Sequence, residues 1–395
     1  MIDCCIVGGG IIGLSIAREL AGRGLAVRVL CRDRRRETAS WAAAGIFPPA
    51  PDDPRATANE RLTAWSDRLH RVWARELLEE TGIDTGLRAC GGLHVSADAA
   101  GRERLLAAAA SWRARGAACE WLDARDLAER EPALAGAVGR GAITDGYCLP
   151  EEMQIRPPRH LEALERSCRD RGVEITHDAL VRGIGVHDRR VTDATATIAG
   201  SDEIIRSGAW VLAAGAWTEG LGAALGLAVE TRPIRGQIVQ LRLVRPTLTR
   251  VVNRGLDYLV PREDGTLLAG STLEDAGFDA TTDDQAIARL LTVTRDLLGD
   301  LPDAAVEQSW AGLRPGTADG LPTIGPVPSV TNAFVAAGHF RAGLHQSTGT
   351  AVIVADLVTG VPTAMGIADF AADRPPRPPT CDSVPAMLAR AHAER

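Results

Sequence analysis

The sequence contains no lysine, and all 44 of its basic residues are arginine. Without lysine an enzyme cannot bind pyridoxal phosphate as a Schiff base, so that class of chemistry is excluded. A phosphate-binding loop of the Walker type is excluded as well, because its lysine reaches the phosphates of the nucleotide. The absence of one residue type therefore removes two large groups of mechanisms.

Other features are absent too. The eight cysteines show none of the paired spacings of zinc-binding motifs, so we predict reduced thiols and no metal site. A net charge of −7 gives no electrostatic support for nucleic-acid binding. No apolar run has the length of a membrane span, and the N-terminus lacks the basic segment followed by an apolar segment that is typical of a signal peptide. We therefore predict a soluble, cytoplasmic protein without a membrane or nucleic-acid partner.

The 395 residues, 45% of them hydrophobic, suffice for two domains or for one large domain with an inserted lobe. The N-terminal segment predicts a strand, a glycine turn, a helix and a second strand. Residues 4–7 form a short apolar run that ends at glycine, as a buried parallel strand does. Gly8, Gly10 and Gly13 form a G-x-G-x-x-G pattern, which permits a tight turn, approach of a pyrophosphate and packing of the helix on the strand. The pyrophosphate would lie on the N-terminal amides of the helix, so we predict a dinucleotide site.

The end of the second predicted strand departs from the usual pattern. An acidic side chain is expected there to bind the hydroxyls of the adenosine ribose, but the position holds Cys31, followed by Arg32. Asp33 would provide the carboxylate if the strand ends two residues later. Alternatively, Arg32 and the arginines at 34–36 would accommodate a ribose 2′-phosphate and favour NADP, or they would form a solvated loop.

Two later segments contain small residues through which the backbone could approach a cofactor. Residues 37–50 include Ser40 and Gly45, and residues 209–215 form an apolar run that ends in Ala-Ala-Gly. Both segments therefore become candidates for contact with a large, flat ligand.

The second half of the chain has a different pattern. Alternating strands are predicted at residues 233–243 and 256–271, with an Asp-Gly hairpin turn at 264–265. Antiparallel strands that follow strand–helix units indicate a second lobe of different architecture. Residues 310–328 are rich in glycine and proline, and the chain from about residue 373 is rich in proline and arginine, which predicts a loosely ordered tail.

Several separated motifs occur together in order. With the glycine turn, they resemble the D-amino-acid oxidase family of FAD-dependent oxidoreductases, and within it the bacterial glycine oxidases of thiazole biosynthesis. The resemblance covers roughly residues 3–360. The segments that carry it are residues 42–46 (Ala-Ala-Ala-Gly-Ile), 131–134 (Glu-Pro-Ala-Leu), 232–237 (Arg-Pro-Ile-Arg-Gly-Gln), 258–262 (Tyr-Leu-Val-Pro-Arg), 312–317 (Gly-Leu-Arg-Pro-Gly-Thr) and 338–343 (Gly-His-Phe-Arg-Ala-Gly).

The resemblance implies an α/β, Rossmann-like FAD-binding domain (GR2-type) and an α+β substrate domain with a large antiparallel sheet. The FAD-binding domain is expected to be discontinuous. The expected boundaries are residues 1–85, 145–225 and 310–365 for the FAD-binding domain, residues 86–144 and 226–309 for the substrate-binding domain, and residues 366–395 for a C-terminal tail.

The resemblance also implies roles for single residues. Arg314 matches the arginine that holds the substrate carboxylate, a role that suits a planar guanidinium in an apolar pocket. Tyr258 matches the tyrosine of the substrate pocket, and Arg341 matches a residue between the active site and the flavin. These three are the expected catalytic residues. The residues matched to cofactor contacts are Gly8, Gly10, Ile11, Ile12, Gly13, Cys31, Arg32, Ser40, Ala44, Gly45, Ile46, Val181, Gly215, Gly338, His339, Arg341, Ala342, Gly343 and Leu344.

The activity expected from the resemblance is an FAD-dependent oxidase of a small amino acid or amine such as glycine, sarcosine or D-alanine. A hydride would pass from the substrate Cα to flavin N5, water would hydrolyse the imine, and dioxygen would reoxidise the flavin and yield hydrogen peroxide. Leu273 and Pro48 stand where the related enzymes usually have methionine and glycine, which leaves the identity of the substrate open.

Two alternatives remain. The first is an amino-acid or hydroxy-acid dehydrogenase that passes electrons to a quinone or carrier, because the chain has no lysine to activate oxygen beside a flavin. The second is a non-catalytic FAD- or NADP-binding protein, although such a protein has no need of the carboxylate clamp formed by Arg314 and Tyr258. Homo-oligomerisation is left open.

Overall fold

The computed structural model describes residues 2–32, 38–244, 248–301, 303–381 and 383–393. The strands within these residues are β1 (Cys4–Val7), β2 (Val27–Leu30), β3 (Ile46–Phe47), β4 (Arg88–Ala89), β5 (Gly92–Ser96), β6 (Glu120–Asp123), β7 (Asp145–Leu149), β8 (Met153–Gln154), β9 (Glu174–Thr176), β10 (Ala179–His187), β11 (Arg190–Ile198), β12 (Ser201–Ile205), β13 (Ala209–Leu212), β14 (Arg232–Arg242), β15 (Val251–Arg254), β16 (Asp257–Pro261), β17 (Thr266–Gly270), β18 (Ala305–Gly316), β19 (Thr323–Pro326) and β20 (Ala333–Ala337). The helices are α1 (Ile11–Gly22), α2 (Ala39–Ala42), α3 (Ala58–Thr81), α4 (Ala99–Ala114), α5 (Ala124–Arg130), α6 (Ala135–Gly139), α7 (Pro157–Asp170), α8 (Thr218–Ala223), α9 (Asp284–Leu298), α10 (Gly343–Thr359) and α11 (Val384–Ala393).

A six-stranded sheet carries the glycine turn, in the order β19-β20-β13-β1-β2-β9. Its strands are parallel except for β19. Side chains alternate along β1, so that Cys4 and Ile6 face helices α1, α3, α7 and α10. Cys5 and Val7 face the other side, which the antiparallel meander β10-β11-β12 covers. Burial on both faces explains why β1 is apolar throughout, and the arrangement confirms the predicted Rossmann-like fold.

An eight-stranded sheet forms the second layer, in the order β18-β14-β17-β16-β15-β5-β7-β6. All of its neighbours are antiparallel except β15 and β5. Helices α5, α6 and α9 bury an apolar core on one face. The other face presents Ile238, Tyr258 and Leu268 toward Ala44. The predicted large antiparallel sheet is confirmed, and so is the hairpin between β16 and β17, whose turn residue Gly265 has a φ of +82°.

Two strands of the eight-stranded sheet, β7 and β18, lie wholly or partly in segments that were expected to belong to the FAD-binding domain. Strand β18, in the stretch described above as rich in glycine and proline, pairs with β14 from Gly316 back to Ala305. Proline is tolerated there because β18 is the edge strand of its sheet. Strand β7 also belongs to this sheet, and the expected boundaries at 145 and 310 stay predictions. The division into two domains itself stays a prediction.

The segment predicted to be a loosely ordered tail contains a helix and contacts with the rest of the protein. Phe370 is fully buried, and Arg374 forms an ion pair with Asp319, with 2.9 Å between Nε and Oδ2. Helix α11 buries one apolar side, which consists of Val384, Met387 and Ala391. This spacing of three and four residues is that of a single helical face, and the preceding proline- and arginine-rich stretch obscures it in the sequence.

Candidate active site

A cavity of about 480 Å³ is lined by residues of both large sheets. Gly8 and Gly10 line it from the turn after β1, while Tyr258 and Arg314 line it from β16 and β18. The volume lies within the range of about 300–1,000 Å³ that is typical of small-molecule and cofactor sites. One cavity therefore brings together the predicted dinucleotide turn and the predicted carboxylate clamp.

The glycine turn is closely packed against its neighbours. Gly8 has a φ of +119°, and a Cβ at this position would overlap the carbonyl oxygen of Ala213. A Cβ on Gly13 would overlap the carbonyl oxygen of Gly8, so Gly13 lets α1 pack against the turn without lining the cavity itself. The Ile11 amide donates a hydrogen bond to Ser40 Oγ, at 2.9 Å. The first turn of α1 thus lies at the cavity, where its amides can bind an anion.

Neutral partners orient the guanidinium of Arg314. Its Nη2 donates to Ser271 Oγ at 2.9 Å, and its Nη1 donates to the carbonyl oxygen of Thr272 at 3.2 Å. A Cβ on Gly236 would overlap the guanidinium, so this glycine provides the space that the guanidinium occupies. Among the described residues, no carboxylate forms an ion pair with Arg314. The side chain is therefore held in place with its positive charge uncompensated by a direct partner.

The environment acts on the charge of Arg314 in two directions. Desolvation lowers the pKa of this guanidinium from its usual range, and the nearby charge of Arg341 lowers it further, while Tyr258 acts in the opposite direction. Arginine nevertheless stays protonated in proteins. A half-buried cation of this kind is stabilised when an anion binds beside it.

Tyr258 and Arg341 line the same cavity from different parts of the chain. Tyr258 is 7% exposed and lies opposite Gly270, where a Cβ would come within 2.7 Å of the tyrosine ring. Arg341 is exposed and lines the cavity just before α10. The preceding residue, Phe340, has a φ of +48° and turns the chain at this point. The three predicted catalytic residues are thus brought together, and their roles stay predictions.

The model of the FAD dependent oxidoreductase family matches residues 3–357, which is most of the chain. The chain belongs to this family. It is similar to glycine oxidase of Pseudomonas aeruginosa, with 34% identity over 90% of this chain and 94% of that protein. It is also similar to glycine oxidase of Geobacillus kaustophilus, with 33% identity over 94% of this chain and 97% of that protein. The crystal structure of the G. kaustophilus glycine oxidase superposes with a TM-score of 0.85 at 32% identity, and covers 95% of this chain and 99% of that chain.

The family uses FAD, and the residues of the cavity fit this cofactor. The close approaches at Gly8 and Gly13 set the turn of a dinucleotide site, and the cavity continues from this turn to Arg314. Three residues of the predicted cofactor set, Gly13, Gly338 and Ala342, do not line the cavity. The predicted cofactor residues that do line it are Gly8, Gly10, Ile11, Ile12, Cys31, Arg32, Ser40, Ala44, Gly45, Ile46, Val181, Gly215, His339, Arg341, Gly343 and Leu344. Their contacts with FAD stay a prediction.

His339 lies beside this cofactor site as a neutral group. Its Nε2 is 3.0 Å from Thr350 Oγ1, and desolvation lowers the pKa of the imidazole to about 3. His345 Nε2 is 3.0 Å from Asp67 Oδ1, and its ring stacks on Phe47. Both histidines therefore have structural partners within the described residues.

The end of the cavity near β2 contains the predicted residue Arg32 together with residues outside the predicted site. The guanidinium of Arg32 lies over the ring of Trp217, 3.8 Å from its centre. Glu165 and His177 also line this end. The alternatives based on Asp33 and on the arginines at 34–36 concern residues outside those described. Trp217 closely follows the apolar segment 209–215, whose small residues already indicated contact with a cofactor. No sequence feature around Glu165 indicates a role at this site.

Two further findings concern the whole described chain. Over residues 2–32, 38–244, 248–301, 303–381 and 383–393, no group of three or more histidine, cysteine or acidic side chains could hold a metal ion. In the same residues, each helix is too short or too polar to span a lipid bilayer.

Proposed function

We propose that this protein oxidises a small amino acid or amine of the glycine, sarcosine or D-alanine kind, with dioxygen as the final electron acceptor. The observation that carries the proposal is the position of Arg314. It lines the same cavity as the dinucleotide turn, and neutral groups hold it without a carboxylate partner among the described residues. The names of the similar glycine oxidases support the same substrate class.

In this proposal, Arg314 binds the substrate carboxylate with two of its N–H groups. The hydrogen bonds to Ser271 and Thr272 fix the plane of the guanidinium before the substrate arrives, which lowers the entropic cost of binding. The hydroxyl of Tyr258 donates to the same carboxylate. The fixed carboxylate orients the Cα–H bond toward the cofactor site.

Bound FAD supplies the two-electron oxidant, and the chain supplies position and surroundings. The amine becomes an imine, which water hydrolyses to an oxo acid and ammonia or an amine. With a pKa of about 3, His339 is neutral at physiological pH, and its Nε2 is engaged with Thr350. We therefore assign no proton transfer to it, and the substrate binds with its amine already neutral.

The experiment is a screen of small amines with the purified holoenzyme, in which hydrogen peroxide and oxygen uptake are measured. We expect turnover with at least one of glycine, sarcosine and D-alanine, and anaerobic bleaching of the flavin absorbance with the same compound. Absence of bleaching with every amine that has a carboxylate would contradict the proposal.

A second candidate is a dehydrogenase that passes electrons to a quinone or carrier. The observation that favours it is the absence of lysine, since some flavin oxidases use a lysine to activate oxygen. Substrate-dependent reduction of an artificial acceptor without oxygen uptake would favour the dehydrogenase. A cytoplasmic location stays a prediction, and homo-oligomerisation stays open.

A further inference from the structure

The residue directly after β2, where dinucleotide-binding folds usually place the carboxylate for the adenosine ribose, is Cys31 in this chain. Cys31 follows β2 directly and is 4% exposed. A Cβ on Gly9 would overlap its Sγ, which shows how closely the thiol packs against the glycine turn. In dinucleotide-binding folds an acidic side chain at this place binds the ribose hydroxyls. A thiol is only a weak hydrogen-bond acceptor, so these hydroxyls need another partner.

A carboxylate from a different element reaches the same end of the cavity. Glu165 lies on α7, its side chain is 4% exposed, and it lines the cavity together with Cys31 and Arg32. Two short polar contacts link Cys31 to Glu165 through neighbouring residues. The Cys31 amide donates to the carbonyl oxygen of Thr176 at 2.8 Å, and the next residue, His177, has its Nε2 3.1 Å from Glu165 Oε1.

The carboxylate of Glu165 has two neighbours that compensate its burial. Arg169, one helical turn later, forms an ion pair with the carboxylate, and His177 contacts the same oxygen atom. A buried carboxylate of this kind is tolerated because it is paired. The other acidic residue of this part of α7, Glu162, is exposed. Glu165 thus differs from its neighbour in being buried and in lining the cavity.

We propose that the carboxylate of Glu165 binds the ribose hydroxyls of the adenosine half of FAD, in place of the acidic residue whose usual position Cys31 occupies. Hydroxyl groups donate to a carboxylate, and hydrogen bonds to a charged group are stronger than those between neutral groups. The inference concerns only the cofactor and does not depend on which amine is oxidised.

The test replaces the carboxylate with an amide of the same shape, Glu165→Gln, and uses Glu162→Gln as the matched control on the same helix. Bound FAD is displaced from the purified holoenzyme by ADP, by 2′,3′-dideoxy-ADP or by FMN, and the displacement is followed by flavin fluorescence or, for FMN, by analysis of the bound flavin. We expect E165Q to weaken the binding of FAD and ADP by about tenfold to a hundredfold, the range for hydrogen bonds to a charged group. Binding of FMN, which has no adenosine, should stay unchanged, and E162Q should behave as the wild type.

The dideoxy compound distinguishes the ribose from the adenine. The wild type should bind ADP more tightly than 2′,3′-dideoxy-ADP, and E165Q should bind the two nearly equally. If E165Q weakens ADP and dideoxy-ADP to the same extent, the carboxylate does not bind the ribose hydroxyls and the proposal is wrong. Equal weakening of FMN and ADP would show a structural effect and would also overturn it. Should E165Q fail to fold, Glu165→Asp keeps the charge but withdraws it from the cavity, and the same comparison between ADP and dideoxy-ADP applies.

Discussion

Arg314 shows how single residues prepare the cavity for an anion. Ser271 and Thr272 accept its hydrogen bonds without cancelling its charge, and Gly236 leaves the space that its guanidinium needs. A carboxylate can therefore bind to a group that is already oriented. Binding of the carboxylate depends on the planar, forked arrangement of the guanidinium N–H groups and not on the charge alone.

We predict that Arg314→Lys keeps the charge but loses the planar fork. Because hydrogen bonds to charged groups contribute about 1.5–3 kcal/mol, kcat/KM should fall by about tenfold to a hundredfold, mostly through KM. Steady-state kinetics with the amine found in the screen measure this, and the visible spectrum should show unchanged FAD content. The matched control is Arg242→Lys at an exposed position of the sheet, which should have wild-type kinetics. Loss of FAD together with activity in R314K would mean that Arg314 is structural.

His160 is a second residue whose environment makes a specific prediction. It is 1% exposed, and within the described part of the chain neither ring nitrogen has a hydrogen-bond partner. Desolvation lowers its pKa to about 3. The unfolded chain therefore binds more protons than the folded one between about pH 6.5 and pH 3, so the free energy of unfolding decreases as the pH falls through this window.

We predict that His160→Leu reduces this acid sensitivity, because it removes a buried polar group that cannot be protonated in the folded state. The difference in Tm between pH 7.5 and pH 5 should be smaller in the variant than in the wild type. Thermal unfolding at several pH values measures it. His187→Gln, at an exposed position, should keep the slope of the wild type. A slope in H160L equal to that of the wild type would contradict the prediction.

At the scale of the elements, the contact between α1 and the turn after β1 aligns the helix amides with the cavity. Gly13 leaves no room for a side chain in this contact.

We predict that Gly13→Ala displaces α1, because the added methyl group would overlap the carbonyl oxygen of Gly8. FAD should be lost during purification, and Tm should fall. Gly139→Ala on α6 has open space around the new Cβ and should retain FAD and Tm. Retention of FAD by G13A would show that the helix tolerates the shift.

The elements that could be predicted from the sequence are those whose signals are local. The glycine turn with its flanking strands and the Asp-Gly hairpin are specified by adjacent residues, and the structure confirms both. Strand β18 was missed because its glycines and Pro315 are unfavourable inside a sheet and acceptable only at an edge. The position of a strand within its sheet depends on residues far away in the chain. Glu165 was missed for a similar reason, since its link to Cys31 passes through His177, which follows β9, the strand that pairs with β2.

At the scale of the whole molecule, helix α11 packs against residues beside two segments that line the cavity. Val384 would overlap a Cβ on Gly316, and the Val384 amide donates to the carbonyl oxygen of Thr317 at 3.1 Å. The same helix packs on Phe340 and Leu273, which flank the segments that carry Arg341 and Ser271. Helix α11 thus supports two walls of the predicted substrate pocket.

We predict that Met387→Asp releases this support, because it places an unpaired charge in a site where the native side chain is 3% exposed. Phe340 and Leu273 would lose their packing, so KM for the amine should rise and Tm should fall, while FAD should be retained, because its predicted contacts also include the glycine turn after β1, which α11 does not touch. Met387→Leu keeps the volume and the apolar surface and should behave as the wild type. Steady-state kinetics, thermal unfolding and the ratio of flavin to protein absorbance separate these effects. If M387D lowers Tm but leaves KM unchanged, α11 stabilises the fold without shaping the pocket.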